Sequence, residues 1–221
     1  LWGSRGDLPD FGAPVEEVNW RLLYVRLTEM HVVELLALTL FEWPEPSFEV
    51  HRDLARHLWD EARHAMLGEV GFETRGVNWQ TVPHELSFAS FPNMELEPRD
   101  RYALLYGSEH SVMSKTSKGP QHAGKPEQHA LARASGDPLS TLFLDHDWAD
   151  EVLHVHIARR VLAGAFPSTA ARDKAYERAL ARYLEISDED RALDRSCWWD
   201  EFYAGVRSCS AADPSRGPDG R

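Results

Sequence analysis

The stretch Asp60-Glu61-Ala62-Arg63-His64 places a carboxylate and an imidazole three residues apart, inside a run with helical apolar periodicity over 48–72. On a helix, residues three apart lie on one face, about 4.5 Å apart along the axis. Glu61 and His64 can therefore bind one metal ion. The same Asp-Glu-x-x-His pattern recurs at Asp150-Glu151-Val152-Leu153-His154, inside a second strongly periodic segment.

The composition of the chain explains one Glu-x-x-His pair, but not this repeated pattern. With 20 Glu and 11 His among 221 residues, chance gives about one such pair. The chain has 16 Asp, and requiring one of them directly before the Glu lowers the chance expectation to about 0.07 copies. Two copies therefore indicate a function for both segments.

Composition narrows the class of protein. Hydrophobic residues at 43% and charged residues at 27% are typical of a folded globular chain, and we favour one domain. The formal net charge of −12 disfavours nucleic acid as a partner. Only Cys197 and Cys209 are present, so we expect no disulfide framework, no cysteine metal site and a reducing, cytoplasmic compartment. No apolar run reaches the 18 residues of a membrane span.

Apolar periodicity predicts an all-α chain. We expect an extended arm at 1–13, one helical domain at 14–207 and a disordered tail at 208–221. The predicted helices cover 14–42, 48–73, 99–118 and 138–165, followed by a fifth that Ser168 caps and that ends near 186, and a sixth that Ser187 caps and that ends near 206. A long connection over 74–98, with Trp79, Phe88 and Phe91 as anchors, and a loop with one short helical piece after 118 complete the prediction.

Each of the first four predicted helices carries a glutamate in an otherwise apolar stripe. These residues are Glu34, Glu61, Glu109 and Glu151, and His64 and His154 complete a set of six candidate metal ligands. A buried carboxylate costs several kcal/mol unless positive charge compensates it. Carboxylate oxygen and imidazole nitrogen suit iron and manganese. The pattern therefore predicts a buried metal centre.

Two parts of this assignment stay open. Glu29 can replace Glu34, although Glu29 lies off the stripe that Leu27, Met30 and Phe41 form. The histidine and glutamate side chains can also be surface ion pairs on solvated helices. The apolar residues three and four positions on either side of Glu61 disfavour that alternative.

Four further residues lie close to the candidate ligands in the predicted helices. His31 and His57 lie three and four residues before a metal-facing glutamate, so each is either an extra ligand or a hydrogen-bonded neighbour of the ligands. Tyr106, one turn before Glu109, is either a radical or proton-relay residue or a core tyrosine. The role of Asp147 is equally open.

The ordered set of ligands resembles the ferritin-like di-iron carboxylate superfamily, and Asp60-Glu61-Ala62-Arg63-His64 is similar to its Asp-Glu-x-Arg-His motif. The resemblance implies an antiparallel four-helix bundle, here with additional C-terminal helices, and two iron ions, with manganese open for one or both. It also implies that Asp60 accepts a hydrogen bond from His154, and Asp150 from His64.

The resemblance implies an O2-dependent oxidase or oxygenase that acts on a small organic substrate, with an electron donor if it is an oxygenase. The alternative is a ferroxidase or other metal-handling protein without an organic substrate. A helical interaction module is a third hypothesis. Neither a nucleic acid nor a membrane is expected as a partner, and a homodimer stays open.

Overall fold

The computed structural model describes residues 15–44, 46–81, 87–113 and 124–191. The helices are α1 (Val15–Thr28), α2 (Met30–Glu42), α3 (Phe48–Thr74), α4 (Ser87–Glu95), α5 (Pro98–Val112), α6 (Lys125–Ser135), α7 (Pro138–Ala165) and α8 (Thr169–Arg191), with a 3-10 turn at Trp79–Thr81. No strand occurs within these ranges, so the expected all-α class is confirmed. The predicted arm at 1–13 and tail at 208–221 lie outside the described residues.

The two longest helices, α3 and α7, carry the repeated motif, and both lie close to their predicted bounds. Asp137 caps α7 by accepting hydrogen bonds from the backbone N–H groups of Leu139 at 2.9 Å and Ser140 at 3.2 Å. Pro138 occupies the first turn, where its missing N–H costs nothing. Both helices bury one face along most of their length, so the motif side chains point into the protein.

The first predicted helix is not continuous. It is interrupted at Glu29, whose N–H bonds to the carbonyl of Arg26 at 3.2 Å in a tighter turn than that of an α-helix. Beyond the interruption, α2 buries His31, Val32, Leu35, Leu36 and Thr39. The part of the predicted stripe that lies on α2 was therefore wrong, and Phe41 there is 84% exposed, whereas Leu27 on α1 is buried. The segment from 32 to 41 is apolar on nearly every face, so hydrophobicity alone does not determine which face of the helix is buried.

Close helix packing positions α1 against α3. A Cβ atom added to Gly68 of α3 would lie 2.4 Å from the backbone nitrogen of Leu27, so only glycine permits this approach. Helix α3 also packs against α2 and α7, and α5 packs against α2, α7 and α8. The space between the α1–α2 junction, α3, α5 and α7 is therefore enclosed by helices on several sides.

The remaining elements agree with the prediction in part. The 74–98 connection contains α4, and its predicted anchors Phe88 and Phe91 are buried. The short helical piece after 118 is α6, whereas 114–118 of the third predicted helix lie outside the described residues. Helix α8 runs through Ser187, so the predicted boundary between a fifth and a sixth helix was wrong. Among the described helices, none is long and apolar enough to cross a bilayer.

Candidate metal centre

Two adjacent groups of side chains can hold metal ions in the described part of the chain. The histidine-rich group consists of His57, Glu61, Glu109 and His154, and the lysine-bound group consists of Glu29, His64, Asp147 and Glu151. Within each group, one ligand atom per residue lies within 4.8 Å of the others. All eight residues are at most 6% exposed. The groups therefore combine carboxylates and imidazoles in a nearly dry environment.

The histidine-rich group is held together by contacts between α3, α5 and α7. The Nε2 atom of His57 lies 2.9 Å from Oε1 of Glu109 and 3.3 Å from Oε1 of Glu61. His154 places Nδ1 3.1 Å from the same Glu61 oxygen, and its ring stacks on that of His57 with centroids 3.8 Å apart. Among the described residues, no lysine or arginine pairs with Glu61 or Glu109.

The lysine-bound group contains two buried cations. The ammonium of Lys125 lies 2.8 Å from both carboxylate oxygens of Asp147 and 2.8 Å from Oε1 of Glu151. Arg26 pairs with Oε1 of Glu29 at 2.9 Å and also contacts Asp147. Lys125 and Arg26 are 3% and 2% exposed. Buried charges of this kind require close partners, and the carboxylates of the group supply them.

Glu61 connects the two groups. Its Oε1 atom faces His57 and His154, while its Oε2 atom lies 3.2 Å from Nδ1 of His64. His64 in turn lies 3.1 Å from Oε2 of Glu29. One carboxylate therefore contacts imidazoles of both groups, one oxygen for each.

Two aspartates outside the groups lie against the histidine rings. Asp150 accepts a hydrogen bond from Nε2 of His64 at 3.0 Å, and Oδ2 of Asp60 lies 3.6 Å from Nε2 of His154. Of the two crossed hydrogen bonds that the resemblance implied, the one between His64 and Asp150 is present, whereas Asp60 and His154 are neighbours at a distance too long for a hydrogen bond. Arg63 contacts both aspartates. Because each Nε2 atom faces an aspartate, each Nδ1 atom faces the candidate ligand groups.

Charge within the groups shifts several pKa values. Burial acts to lower the pKa of His57, but the carboxylates of Glu109 and Glu61 outweigh it and raise the pKa to about 10. Burial also opposes the charged form of His64, yet Glu29 and Glu61 raise its pKa well above the ordinary value. Without a metal ion, imidazolium protons therefore balance the buried carboxylates. A metal ion that binds these nitrogens must replace those protons.

Several buried ligand atoms have no hydrogen-bond partner among the described residues. They include Oε2 of Glu109, Oε2 of Glu151 and Nδ1 of His154, whose contact with Glu61 lacks hydrogen-bond geometry. Orphaned buried polar atoms are rare in folded proteins and call for an explanation. Oxygen and imidazole donors of this kind suit divalent first-row metals. The residues therefore fit a bound metal ion.

The structure brings together five of the six predicted ligands: Glu61, His64, Glu109, Glu151 and His154. Glu34, the sixth, belongs to neither group, and its side chain is exposed on α2. Glu29, the alternative, is 5% exposed and belongs to the lysine-bound group. The interruption of the first helix at Glu29 explains why this residue did not fit a continuous stripe.

The four neighbouring residues fall into two classes. His57 and Asp147 belong to the two groups themselves. His31 is buried on α2 but is in neither group. The hydroxyl of Tyr106 accepts a hydrogen bond from Arg159 at 3.3 Å, and Arg172 lies over its ring. Tyr106 therefore contacts arginines rather than the candidate ligands.

The sequence did not identify Lys125 or Arg26 as buried cations beside the candidate ligands. Lys125 lies in the segment predicted as a loop with one short helical piece, and nothing in its local pattern indicates burial. Arg26 had a weak signal, since it lies three residues before Glu29, a spacing that permits an ion pair on a helix. Neither residue belongs to the repeated motif.

Comparison of the chain with protein-family models, with curated proteins and with solved structures gives no significant match. The description of the fold and of the candidate centre therefore rests on the sequence and structure of this chain alone. The fold is an all-helical arrangement, and the candidate centre consists of two buried groups that can hold metal ions.

Proposed function

We propose that the protein is a ferritin-like, four-helix-bundle oxidoreductase that binds iron or manganese in the two groups and oxidises a small organic substrate with O2. The observation that carries the proposal is the position of Glu61, which contacts histidines of both groups. A carboxylate placed in this way can serve two neighbouring metal ions. The crossed contacts of Asp60 with His154 and of Asp150 with His64 support the same class.

The chain supplies ligands, orientation and a dry environment. Bound iron or manganese would supply the redox chemistry with O2. Asp150 holds the ring of His64 by a hydrogen bond, which limits its rotation, and Asp60 lies beside Nε2 of His154. Leu54 and Leu105, one turn before His57 and Glu109, are buried in the main apolar cluster. Water is therefore kept from this side of the centre.

A ferroxidase is the second candidate function, and the burial of the centre favours it. None of the eight ligand residues is more than 6% exposed, and a metal ion or O2 needs less room than an organic substrate. A surface cavity of about 740 Å³ is lined by Trp43, Val50 and Val161, among others, but by none of the eight ligand residues. In this alternative, iron is the substrate and no organic molecule binds beside the centre.

Oxygen consumption by Fe²⁺-loaded protein tests the proposal. With a chemical reductant present, we expect the wild type to consume O2 and Glu61→Ala to lose this activity, because Glu61 contacts both groups. Glu34→Ala is the matched control, since Glu34 is an exposed glutamate on α2, and it should behave as the wild type.

Two results would change the assignment. Rapid oxidation of many Fe²⁺ ions per chain, together with a large assembly by light scattering, would support the ferroxidase. Unchanged activity in Glu61→Ala, or folded protein that binds no metal, would contradict both oxidative functions and favour the interaction module.

A further inference from the structure

The two groups differ in the positive charge that the chain provides. Three carboxylates of the lysine-bound group face two buried cations, Lys125 and Arg26. With its histidine neutral, that group has a charge of −1. The two carboxylates of the histidine-rich group face no lysine or arginine in the described residues, so with neutral histidines its charge is −2. A divalent ion would neutralise the histidine-rich group.

Lys125 occupies the ligand atoms that a metal ion would need. Its ammonium engages both oxygens of Asp147 and one oxygen of Glu151, each at 2.8 Å. The other oxygen of Glu151 has no hydrogen-bond partner among the residues that the structure describes, and it lies 3.9 Å from Nδ1 of His154. The engaged oxygens therefore face Lys125, whereas the free oxygen of Glu151 faces the histidine-rich group.

In the histidine-rich group, by contrast, ligand atoms are open to a metal ion. Oε2 of Glu109 and Nδ1 of His154 are buried without a hydrogen-bond partner in the described part of the chain. An ion that binds here fills open coordination and displaces only protons from the histidines. An ion that enters the lysine-bound group must displace Lys125 or lie beside it, against like-charge repulsion.

We propose that the two groups bind metal with very unequal affinity. The first divalent ion binds the histidine-rich group, while Lys125, assisted by Arg26, takes the place of the second ion in the lysine-bound group. Because of the repulsion from Lys125, the second ion binds on the order of 100-fold more weakly than the first. This inference rests on the proposed function only in requiring that the protein binds divalent metal.

Titration of the metal-free full chain with Mn²⁺, followed by calorimetry and electron paramagnetic resonance, tests the inference. We expect the wild type to bind one ion tightly, with the six-line spectrum of an isolated Mn²⁺. Lys125→Met keeps an unbranched side chain of similar length but removes the charge. This variant should bind two ions tightly and show the spectrum of two coupled ions.

Lys174→Met is the matched control, because Lys174 is an exposed lysine on α8, and it should bind as the wild type does. If Lys125→Met does not fold, as judged by circular dichroism, two ligand variants replace it. Glu109→Gln should then weaken the tight ion on the order of 100-fold, whereas Asp147→Asn should retain it. Equal loss in both would overturn the inference.

Two further outcomes distinguish failure of this inference from failure of the proposed function. Two ions of similar affinity in the wild type, with Lys125→Met unchanged, would overturn the inference and leave the proposed function intact. Absence of Mn²⁺ binding in every folded variant would overturn both.

Discussion

The histidine-rich group and the lysine-bound group share two helices, α3 and α7, and the contacts of Glu61, yet they neutralise their buried carboxylates differently. In the first group the positive charge comes from imidazoles, which can exchange a proton for a metal ion. In the second group the positive charge comes largely from the side chains of Lys125 and Arg26, which do not exchange a proton for a metal ion. Two groups built from similar ligand types can therefore have different affinities for metal.

The difference originates in elements outside the repeated motif. Lys125 begins α6 and Arg26 lies near the end of α1, whereas the Asp-Glu-x-x-His motifs lie on α3 and α7. The symmetry of the motifs thus does not extend to their surroundings. The following variants test whether the surroundings set the difference between the two groups.

Removal of Glu29 should have the largest effect on stability. In Glu29→Ala, the buried Arg26 keeps Asp147 as its one carboxylate partner in the described part of the chain, and His64 loses a carboxylate neighbour. We expect the metal-free protein to lose about 3 kcal/mol of free energy of unfolding, measured by urea denaturation. Glu34→Ala, at an exposed position on the neighbouring helix, should change it by less than about 0.5 kcal/mol. Equal effects of the two variants would contradict the role of Glu29 as a stabilising buried partner of Arg26.

Gly68→Ala tests the support of α1, which positions Arg26. The added methyl group would meet the backbone of Leu27, so α1 must move away from α3. A loss of about 2 kcal/mol is expected, together with tighter binding of the second metal ion because Arg26 is displaced. Gly164→Ala is the control, since a Cβ there meets nothing within 4 Å, and it should leave stability unchanged or slightly higher. Unchanged binding of the second ion would show that Arg26 does not contribute to the difference in metal affinity between the two groups.

Tyr102→Phe addresses the histidine-rich group alone. The hydroxyl of Tyr102 lies 3.2 Å from Nδ1 of His57, so it can accept a hydrogen bond from the Nδ1–H group and leave Nε2 facing the carboxylates. We expect about a tenfold loss of affinity for the first Mn²⁺, measured by calorimetry, with helicity unchanged. Tyr106→Phe removes a hydroxyl that contacts Arg159 instead and should leave the affinity as it is. If both variants bind alike, Tyr102 does not position His57.

Asp137→Ala should have the smallest effect and should act on neither group. Burial opposes ionisation of Asp137, but Arg75 and the hydrogen bonds from Ser140 and Leu139 lower its pKa below the ordinary value. Its stabilisation is therefore present above the unfolded-state pKa of about 3.9 and is lost as the pH falls through the folded-state value. The variant should lose about 1 kcal/mol at pH 7 and less at pH 3.

Asp173→Ala, at an exposed aspartate, is the control for Asp137→Ala. Its free energy of unfolding should stay within about 0.5 kcal/mol of the wild type at both pH values. An Asp137→Ala effect that does not depend on pH would contradict a role for the ionised cap. In either case the ratio of the two metal affinities should not change.

The sequence predicts α3 and α7 well because their signals are local. Asp137 and Pro138 mark the start of α7, and long apolar periodicity fixes which face of each helix is buried. Once those faces are known, Glu61 and His154 must point inward. The contact between the two motifs then follows from packing α3 against α7.

The sequence does not predict the features that distinguish the groups. The sequence leaves Glu29 as the alternative to Glu34, because a continuous stripe on an apolar segment favours Glu34 and the interruption between α1 and α2 has no strong sequence signal. Lys125 meets Asp147 across 22 residues of chain. Such contacts depend on how helices pack, and local patterns contain no information about which lysine becomes buried.

The most direct test of unequal binding is the position of the first metal ion. Crystals grown with one equivalent of Mn²⁺ should give a single anomalous peak among His57, Glu61, Glu109 and His154, with Lys125 still bonded to Asp147 and Glu151. A first peak in the lysine-bound group, with Lys125 displaced, would contradict the account.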